Sequence, residues 1–592
     1  MVGMLVSLPW YGYITLTNES GARMSHQQHR ATDGRVLAGR VRSEDVFARE
    51  DLTDEQRLFG QAAAEFMRGE VLPREHRLFE HDWELVRTLL RKAGELDLLR
   101  LEIPEAYGGL GLDKISAAYV AEQIALSPSF GGSIGAHTGI GTLPLVYFGN
   151  EAQKAKYLPR MASGELIAAY ALTEPQSGSD ALSVRTTATL TADGRAYALN
   201  GRKMWITNGG FADLFTVFAK VDGDKFTGFL VERSMGIVSG ADERKLGLDG
   251  SSTTELILED VRVPVENVLG RVGEGHKVAF NTLNLGRVKL GTRNVSCAKR
   301  ALANATLYAR ERRQFGKAIA EFGLIKHKLA EMSIRCYVGD AMVYRTLGDV
   351  DRALAAVDAA DGAAVLGTIE GFAVECSINK VFTSEALAYV VDEALQVYGG
   401  NGYSREFPAE RAYRDARITR IYEGTNEINR LLIPTRLYKQ GIPPAEEDSH
   451  VAGPLADEHA LLAGATRLAI RMLGDAAVAY GDSLRDEQEV LAHIADAIIE
   501  VYAISSALAR TEKLLAARGA AADVAVDIAR VFACDAADRI VHAGRQVARA
   551  LGARGTAIVD GTAPLAAFVG VDTIGARRRI ADAVIRAGQH PF

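Results

Sequence analysis

Between residues 166 and 272 apolar side chains fall at every second position, whereas on both sides of that stretch they recur every three or four residues. The first spacing lays one face of a strand on a core and the second does the same for a helix, so the chain must fold as helices, then strands, then helices. Asp193-Gly194, Asn200-Gly201 and Asp222-Gly223 lie between runs rich in β-branched and aromatic residues, where two-residue hairpins need positive φ. The expected fold class is α+β and multidomain, with an antiparallel, β-barrel-like domain over 166–272.

The flanks divide further. D-L-T-D-E-Q opens a helix with Thr53 as its cap, and the helical pattern runs to about Gly164, giving an N-terminal α-helical domain over 46–165. After Gly275 few breakers intervene before Leu437, which suits a four-helix bundle over 273–440. Two prolines and an acidic run in G-I-P-P-A-E-E-D-S-H mark a linker at 441–452. A further α-helical domain follows over 453–592, where Leu491, Ile494, Ile498, Val501 and Leu508 form one stripe. Residues 1–45, apolar at first and then polar without period, read as a flexible extension, with Met24 as an alternative start.

Composition narrows the chemistry. Lys and Arg number 68 against 75 Asp and Glu, a net charge of -7 that argues against a nucleic-acid surface. Cys297, Cys336, Cys376 and Cys534 form no C-x-x-C pair, so neither a disulfide framework nor a metal site is expected, and reduced cytoplasm is the default compartment. No run reads as long enough to span a membrane, so no integral membrane segment is expected. H-E-x-x-H and the P-loop pattern are absent. G-G-S-I-G at 131–135 has no strand before it, which removes the nucleophile-elbow context, and the glycine-rich Y-G-G-L-G-L fails the Rossmann context likewise. Ser177 and Ser179 lack assignable His and Asp partners for a hydrolase.

Five segments remain to be explained: Y-A-L-T-E-P-Q-S-G-S-D from Tyr170, M-W-I-T-N-G-G from Met204, R-R-Q-F-G-K from Arg312, Q-V-Y-G-G-N-G-Y from Gln396 and I-Y-E-G-T-N-E-I from Ile421. Each has an ordinary reading. Trp205 between Met204 and Ile206 suits a core, Arg312 is either a fork of donors for a pyrophosphate or a solvated charge, and Gln396 to Gly400 reads as a glycine helix cap. Glu423 alone is a solvated acid ahead of a helix start at Thr425 to Glu427.

In this order and at these separations, over roughly residues 50–440, the five segments resemble the acyl-CoA dehydrogenase family. F-G-L-I, N-L-G-R and the additional C-terminal domain resemble its very-long-chain branch. The resemblance implies FAD as cofactor, an acyl-CoA substrate and electron-transfer flavoprotein as partner. It places Tyr170, Leu172, Thr173, Trp205 and Thr207 at the flavin, and Gln396, Gly399, Gly400, Thr425, Asn426 and Glu427 in further FAD contacts. Arg312, Gln314 and Phe315 would reach the FAD of a neighbouring subunit, which implies a homodimer, with a homotetramer as the alternative. Ser179, Asn284, Arg287 and Gly424 would meet the substrate, and no metal is implied.

The implied reaction removes two hydrogens across Cα and Cβ of the acyl chain, giving trans-2-enoyl-CoA in fatty acid β-oxidation. Two positions in the superfamily carry the base. One is Gly286 here, which cannot accept a proton, and the other is Glu423. Asp249 and Gly323 depart from the family pattern, in a local ion pair and an FAD contact respectively. Gly139 and Gly141 either leave room for a long acyl chain or permit a close helix crossing. An acyl-CoA oxidase and a non-catalytic scaffold on the same fold are the alternative functions.

Overall fold

The computed structural model describes residues 35–37, 40–359, 361–441 and 452–592. The expected extension up to residue 34, with Met24, and residues 442–451 of the expected linker lie outside the described residues. The chain divides into two compact units, the first built on Phe59–Gly286 and the second on residues 40–58, Arg287–Ala359 and Gly367–Phe592.

The first unit begins with capped helices. Asp82 accepts the Leu85 N–H at 3.0 Å to start Trp83–Glu95, Asp113 accepts that of Ser116 at 2.6 Å to start Lys114–Ile124, and Asn150 with Gln153 forms a capping box for Glu151–Ala162. The apolar faces of the first two share a core around Phe66, Leu89, Leu90, Val120 and Phe130, whereas Tyr157, Leu158 and Met161 of Glu151–Ala162 pack in another core. The sheet then follows, with β1 Ala168–Ala171, β2 Thr187–Leu190, β3 Ala196–Thr207, β4 Leu214–Val221, β5 Lys225–Glu232, β6 Val238–Asp242, β7 Thr253–Pro264 and β8 Val268–Leu269. Its order is β6-β7-β3-β2-β4-β5-β8, with β1 on β4. Most pairings are antiparallel as expected, but β1 and β2 both run parallel to β4, so the sheet is mixed. Asp222 and Gly223 turn the β4–β5 hairpin with φ of 52° and 87°. Asn200-Gly201, expected at a hairpin, instead lies inside β3 at a register shift, where a Cβ on Gly201 would sit 2.3 Å from Thr186 Oγ1. Glycine serves close approach there, and the turn signal misled.

In the second unit the helices Gly323–Ala355, Ala373–Tyr398, Asn426–Gln440, Ala456–Tyr480, Gln488–Arg518, Asp523–Leu551 and Thr573–Ala587 share one hydrophobic core with the later turns of Gly275–Glu311. The bundle and the additional C-terminal domain are thus continuous in packing, although a proline-rich stretch separates them in sequence. Thr53 and Gln56 form the expected cap, each bonding the other's main chain at 3.2 and 3.0 Å. Residues 46–58, assigned from sequence to the N-terminal domain, belong to this unit: Arg510 grips Glu50 at 2.7 and 3.1 Å, and Lys513 pairs with Asp51. Among the described residues one helical stretch, Gln488–Ala566, contains a window long and apolar enough to cross a membrane, contrary to the sequence reading. That window is 78% buried within the protein, as a core helix would be.

Candidate active site

Glu423 stands at a turn that the chain adopts at a conformational cost. Its φ is 58° and that of Gly424 is 82°, two successive left-handed residues of which only the second is free of strain. The turn is held from both sides. Arg287 Nε donates to the Glu423 carbonyl at 3.1 Å, and Asn429 Nδ2 donates to the carbonyls of Gly424 and Thr425 at 2.8 and 3.0 Å. Thr425 then caps Asn426–Gln440 by accepting the Ile428 N–H at 3.3 Å. A Cβ on Gly424 would lie 3.1 Å from Asn429 Nδ2 and 3.2 Å from Arg287 Nη2, so protein groups and positive φ both require glycine there.

The Glu423 residue is half-buried, yet its Oε2 is closed to solvent and has no hydrogen-bond partner among the described residues. Desolvation pushes its pKa up to about 7 against the pull of Arg287, Arg293, Lys380 and Lys289. Burial likewise brings Lys289 and Lys380 each down to about 7, with Glu423 opposing the fall in both cases. A carboxyl whose pKa is raised to about 7, with one oxygen lacking a partner among the described residues and cations acting on it, is the form a general base takes.

Six of the expected cofactor residues of this unit, Arg312, Gln314, Phe315, Gln396, Gly399 and Gly400, belong to two neighbouring segments. The two-residue strands Arg313–Gln314 and Lys317–Ala318 make a hairpin whose turn residues Phe315 and Gly316 have φ of 50° and 81°. Phe315 is 93% exposed, and Arg312 and Gln314 are exposed beside it. The end of Ala373–Tyr398 is tied nearby: Tyr398 stacks on Tyr308 at 4.2 Å, Asn401 donates to the Tyr308 hydroxyl at 3.0 Å, and the Arg312 N–H reaches the Tyr308 carbonyl at 2.9 Å. Gly399 is indeed a helix cap with φ 59°, and it, Gly400 and Gln396 are exposed.

In the first unit the loop after β1 is organised by a buried ion pair. Lys203 Nζ meets Glu174 Oε1 at 2.7 Å and the Leu172 carbonyl at 3.2 Å, while Glu174 also accepts the N–H groups of Arg185 and Thr186 at 2.6 and 3.1 Å. Burial, which raises the Glu174 pKa, is outweighed by Lys203 and these donors, and the result is lowered. Burial brings Lys203 down to about 8. Thr173 is thereby fixed, its carbonyl accepting the Met204 N–H at 2.8 Å, and Ser179 is exposed. Trp205, read alone as core, is 53% exposed at φ 62° on a register shift in β3, with Thr207 two residues on.

The remaining expected contact residues differ in their surroundings. Tyr170 and Leu172 are buried in a core cluster, with the Tyr170 hydroxyl donating to the Ala279 carbonyl at 3.3 Å, so their side chains serve packing. Asn284 is buried. Arg287 is buried too, and its guanidinium is engaged by the Glu423 carbonyl and, at 3.4 Å, by Ser377 Oγ. Asn426 faces inward to Lys380, Ser384 and Glu385, whereas Glu427 is exposed in the first helical turn, its pKa lowered by its own main-chain N–H. Sequence reasoning passed over Lys289, Arg293, Lys380, Asn429 and the Glu174–Lys203 pair. Lys380 carried a signal, a lone lysine between Ile378, Asn379 and Val381 in an apolar helix.

Known proteins resemble the chain over most of its length. Acyl-CoA dehydrogenase domain models match in order: N-terminal at 53–165, middle at 169–261, C-terminal at 273–438 and a second C-terminal domain at 465–555. The probable acyl-CoA dehydrogenase of Bacillus subtilis is 46% identical over 508 residues, covering 82% of this chain and 86% of that protein. The mitochondrial very long-chain specific acyl-CoA dehydrogenase of Rattus norvegicus is 42% identical over 350 residues, 57% of this chain and 51% of its own length. The crystal structure of an acyl-CoA dehydrogenase from Bacillus anthracis, complexed with FAD, has a TM-score of 0.92 at 42% identity and covers 94% of this chain and 99% of that one. The chain belongs to the acyl-CoA dehydrogenase family, oxidoreductases that act on CH–CH groups.

Proposed function

We propose that the protein is an FAD-dependent dehydrogenase of long-chain acyl-CoA thioesters in fatty acid β-oxidation, a cytoplasmic homodimer that yields trans-2-enoyl-CoA and passes electrons to electron-transfer flavoprotein. The observation that carries the reading is Glu423, a carboxyl with an unbonded, solvent-closed oxygen and a pKa near 7. The α proton of a thioester is far less acidic than an ordinary carboxylic acid, and a base raised toward working pH narrows that gap. Glu423 takes this proton. Arg287, bonded to its carbonyl, and Gly424, permitting the left-handed turn, keep the carboxylate in place.

The residues present suit FAD. Trp205 and Phe315 are large aromatic side chains exposed at strained positions, an arrangement that a flat ring system would repay. Thr173, Trp205 and Thr207 would hold a flavin ring, Arg312, Gln314 and Phe315 the adenosine diphosphate part from a neighbouring subunit, and Gln396, Gly399, Gly400, Thr425 and Glu427 further parts of a cofactor. When bound, FAD supplies the acceptor for the hydride that leaves Cβ.

Chain length rests on Gly139. It is buried in the Ala136–Gly141 turn, and a Cβ there would meet nothing within 4 Å, so it leaves internal space. Gly141 does the opposite work, since its Cβ would fall 2.8 Å from Ala168 Cβ. Anaerobic addition of acyl-CoAs of increasing length to the holoprotein, read as loss of flavin absorbance, tests the proposal. Palmitoyl-CoA should bleach at lower concentration than butyryl-CoA. The reverse order would remove the long-chain assignment, and protein that takes up no FAD would remove the whole reading.

A further inference from the structure

One of the buried cations acting on Glu423 is held in an unusual way. Lys380, on Ala373–Tyr398, is fully shielded from solvent, and its Nζ donates to a neutral acceptor, Asn426 Oδ1, at 2.6 Å. No carboxylate lies within ion-pair distance of it among the described residues. Burying a lysine amine against an amide is costly, which is why its pKa falls to about 7, and a lysine needed only to tie two helices would be better served by a carboxylate or replaced by an apolar side chain.

The position of Asn426 gives the cost a purpose. It opens the Asn426–Gln440 helix three residues after Glu423, and its own amide donates to Ser384 Oγ at 3.0 Å and Glu385 Oε1 at 2.9 Å. Arg430 grips Glu385 at 2.7 and 2.9 Å and Asp496 at 2.7 Å, so the relay is anchored on Gln488–Arg518. Charges acting on Lys380 are Arg287, which disfavours its protonation, and Glu423, Glu427 and Glu385, which favour it. Glu423 in turn feels Arg287, Arg293 and Lys289 from Gly275–Glu311 and Lys380 from Ala373–Tyr398, with the Tyr422 phenol adjacent in sequence.

We propose that Lys380 is a positioning residue for the dehydrogenation: through Asn426 it fixes the turn that carries Glu423. When protonated, Lys380 also favours the ionised form of that carboxylate. The proposal rests on Glu423 being the α-proton acceptor. The test is single-turnover bleaching of the full-length holoprotein by saturating palmitoyl-CoA across pH, for wild type, Lys380→Met and Lys380→Arg. In Lys380→Met the apparent pKa for bleaching should move up by about one unit, so the rate at pH 7 falls about fivefold while the high-pH plateau is largely kept. Lys380→Arg should return the profile toward wild type. An unmoved profile in Lys380→Met overturns the proposal. So does a uniform loss of rate or of flavin at all pH values that Lys380→Arg shares, because that assigns the lysine to structure alone. Wild-type protein that does not bleach would instead strike at the proposed function itself.

Discussion

Replacing Glu423 by glutamine should stabilise the protein in a pH-dependent way while abolishing its chemistry. The carboxyl is displaced from an ordinary 4.5 to about 7, mainly by desolvation. At about 1.4 kcal/mol per unit, holding the charged form in this site costs about 3 kcal/mol relative to the unfolded chain. For a group whose folded pKa is raised, the unfolded state loses its proton first. Stability therefore falls as pH rises through the window from about 4.5 to about 7, and the full cost is present above it. Glutamine mimics the neutral acid and escapes that cost. The variant should match wild type at pH 4.5 and exceed it by about 3 kcal/mol at pH 8. With about 2 cal/mol/K of unfolding entropy per residue, a cooperative unit of roughly 300 residues would melt about 5 °C higher. Differential scanning calorimetry of both holoproteins at the two pH values measures this. A gain equal at both pH values, or no gain at pH 8, would refute burial as the origin of the raised pKa. The same variant should keep its flavin and lose at least about a hundredfold in bleaching rate, the usual contribution of a positioned base.

Three further changes probe the supports. Gly424→Ala forces a side chain into positive φ against Arg287 and Asn429, and should cost about 1–3 kcal/mol and slow bleaching more than it weakens flavin retention, both measurable on one preparation. Lys203→Met strands the buried Glu174 carboxylate and should destabilise by about 3–5 kcal/mol, with a melting transition that recovers as pH is lowered and Glu174 takes up a proton. Phe315→Ala removes an exposed ring, so stability should change by less than about 0.5 kcal/mol, while FAD is lost more readily on gel filtration; unchanged retention would remove Phe315 from the cofactor assignment.

The order of domains was legible because period is a local property, and the switch from 3.6 to 2 and back survives whatever the tertiary partners are. Glu423 was singled out for a different reason: by the resemblance, Gly286 occupies the other position expected to carry a base. What stayed hidden depends on pairings across long separations. Arg287 reads as a substrate contact in sequence, and only the fold shows its guanidinium on the carbonyl of a residue 136 positions away. Trp205 between Met204 and Ile206, read alone, suits a core because alternation assumes an unbroken strand, and only the resemblance pointed to the exposed position at the register shift in β3. Asn200-Gly201 fails in the mirror sense, since the glycine needed for close approach to Thr186 carries the same signal as a turn.

The errors share a cause that bears on how the site works. Sequence reasoning rewards local consistency, and the residues around Glu423 are locally inconsistent: a glutamate at φ 58°, an arginine and a lysine in apolar helices, a carboxyl oxygen with no partner. None of these is stable on its own terms. Each persists because a neighbour constrains it, the turn through Arg287 and Asn429, Lys380 through Asn426, and Asn426 through Glu385, Arg430 and Asp496. The last link lies on Gln488–Arg518, in the additional C-terminal domain, so that domain helps to brace the turn at Glu423 as well as to build the core. A turn strained in isolation and braced from a distance is recognisable in a sequence only as a set of exceptions, and here the exceptions converge on one carboxylate.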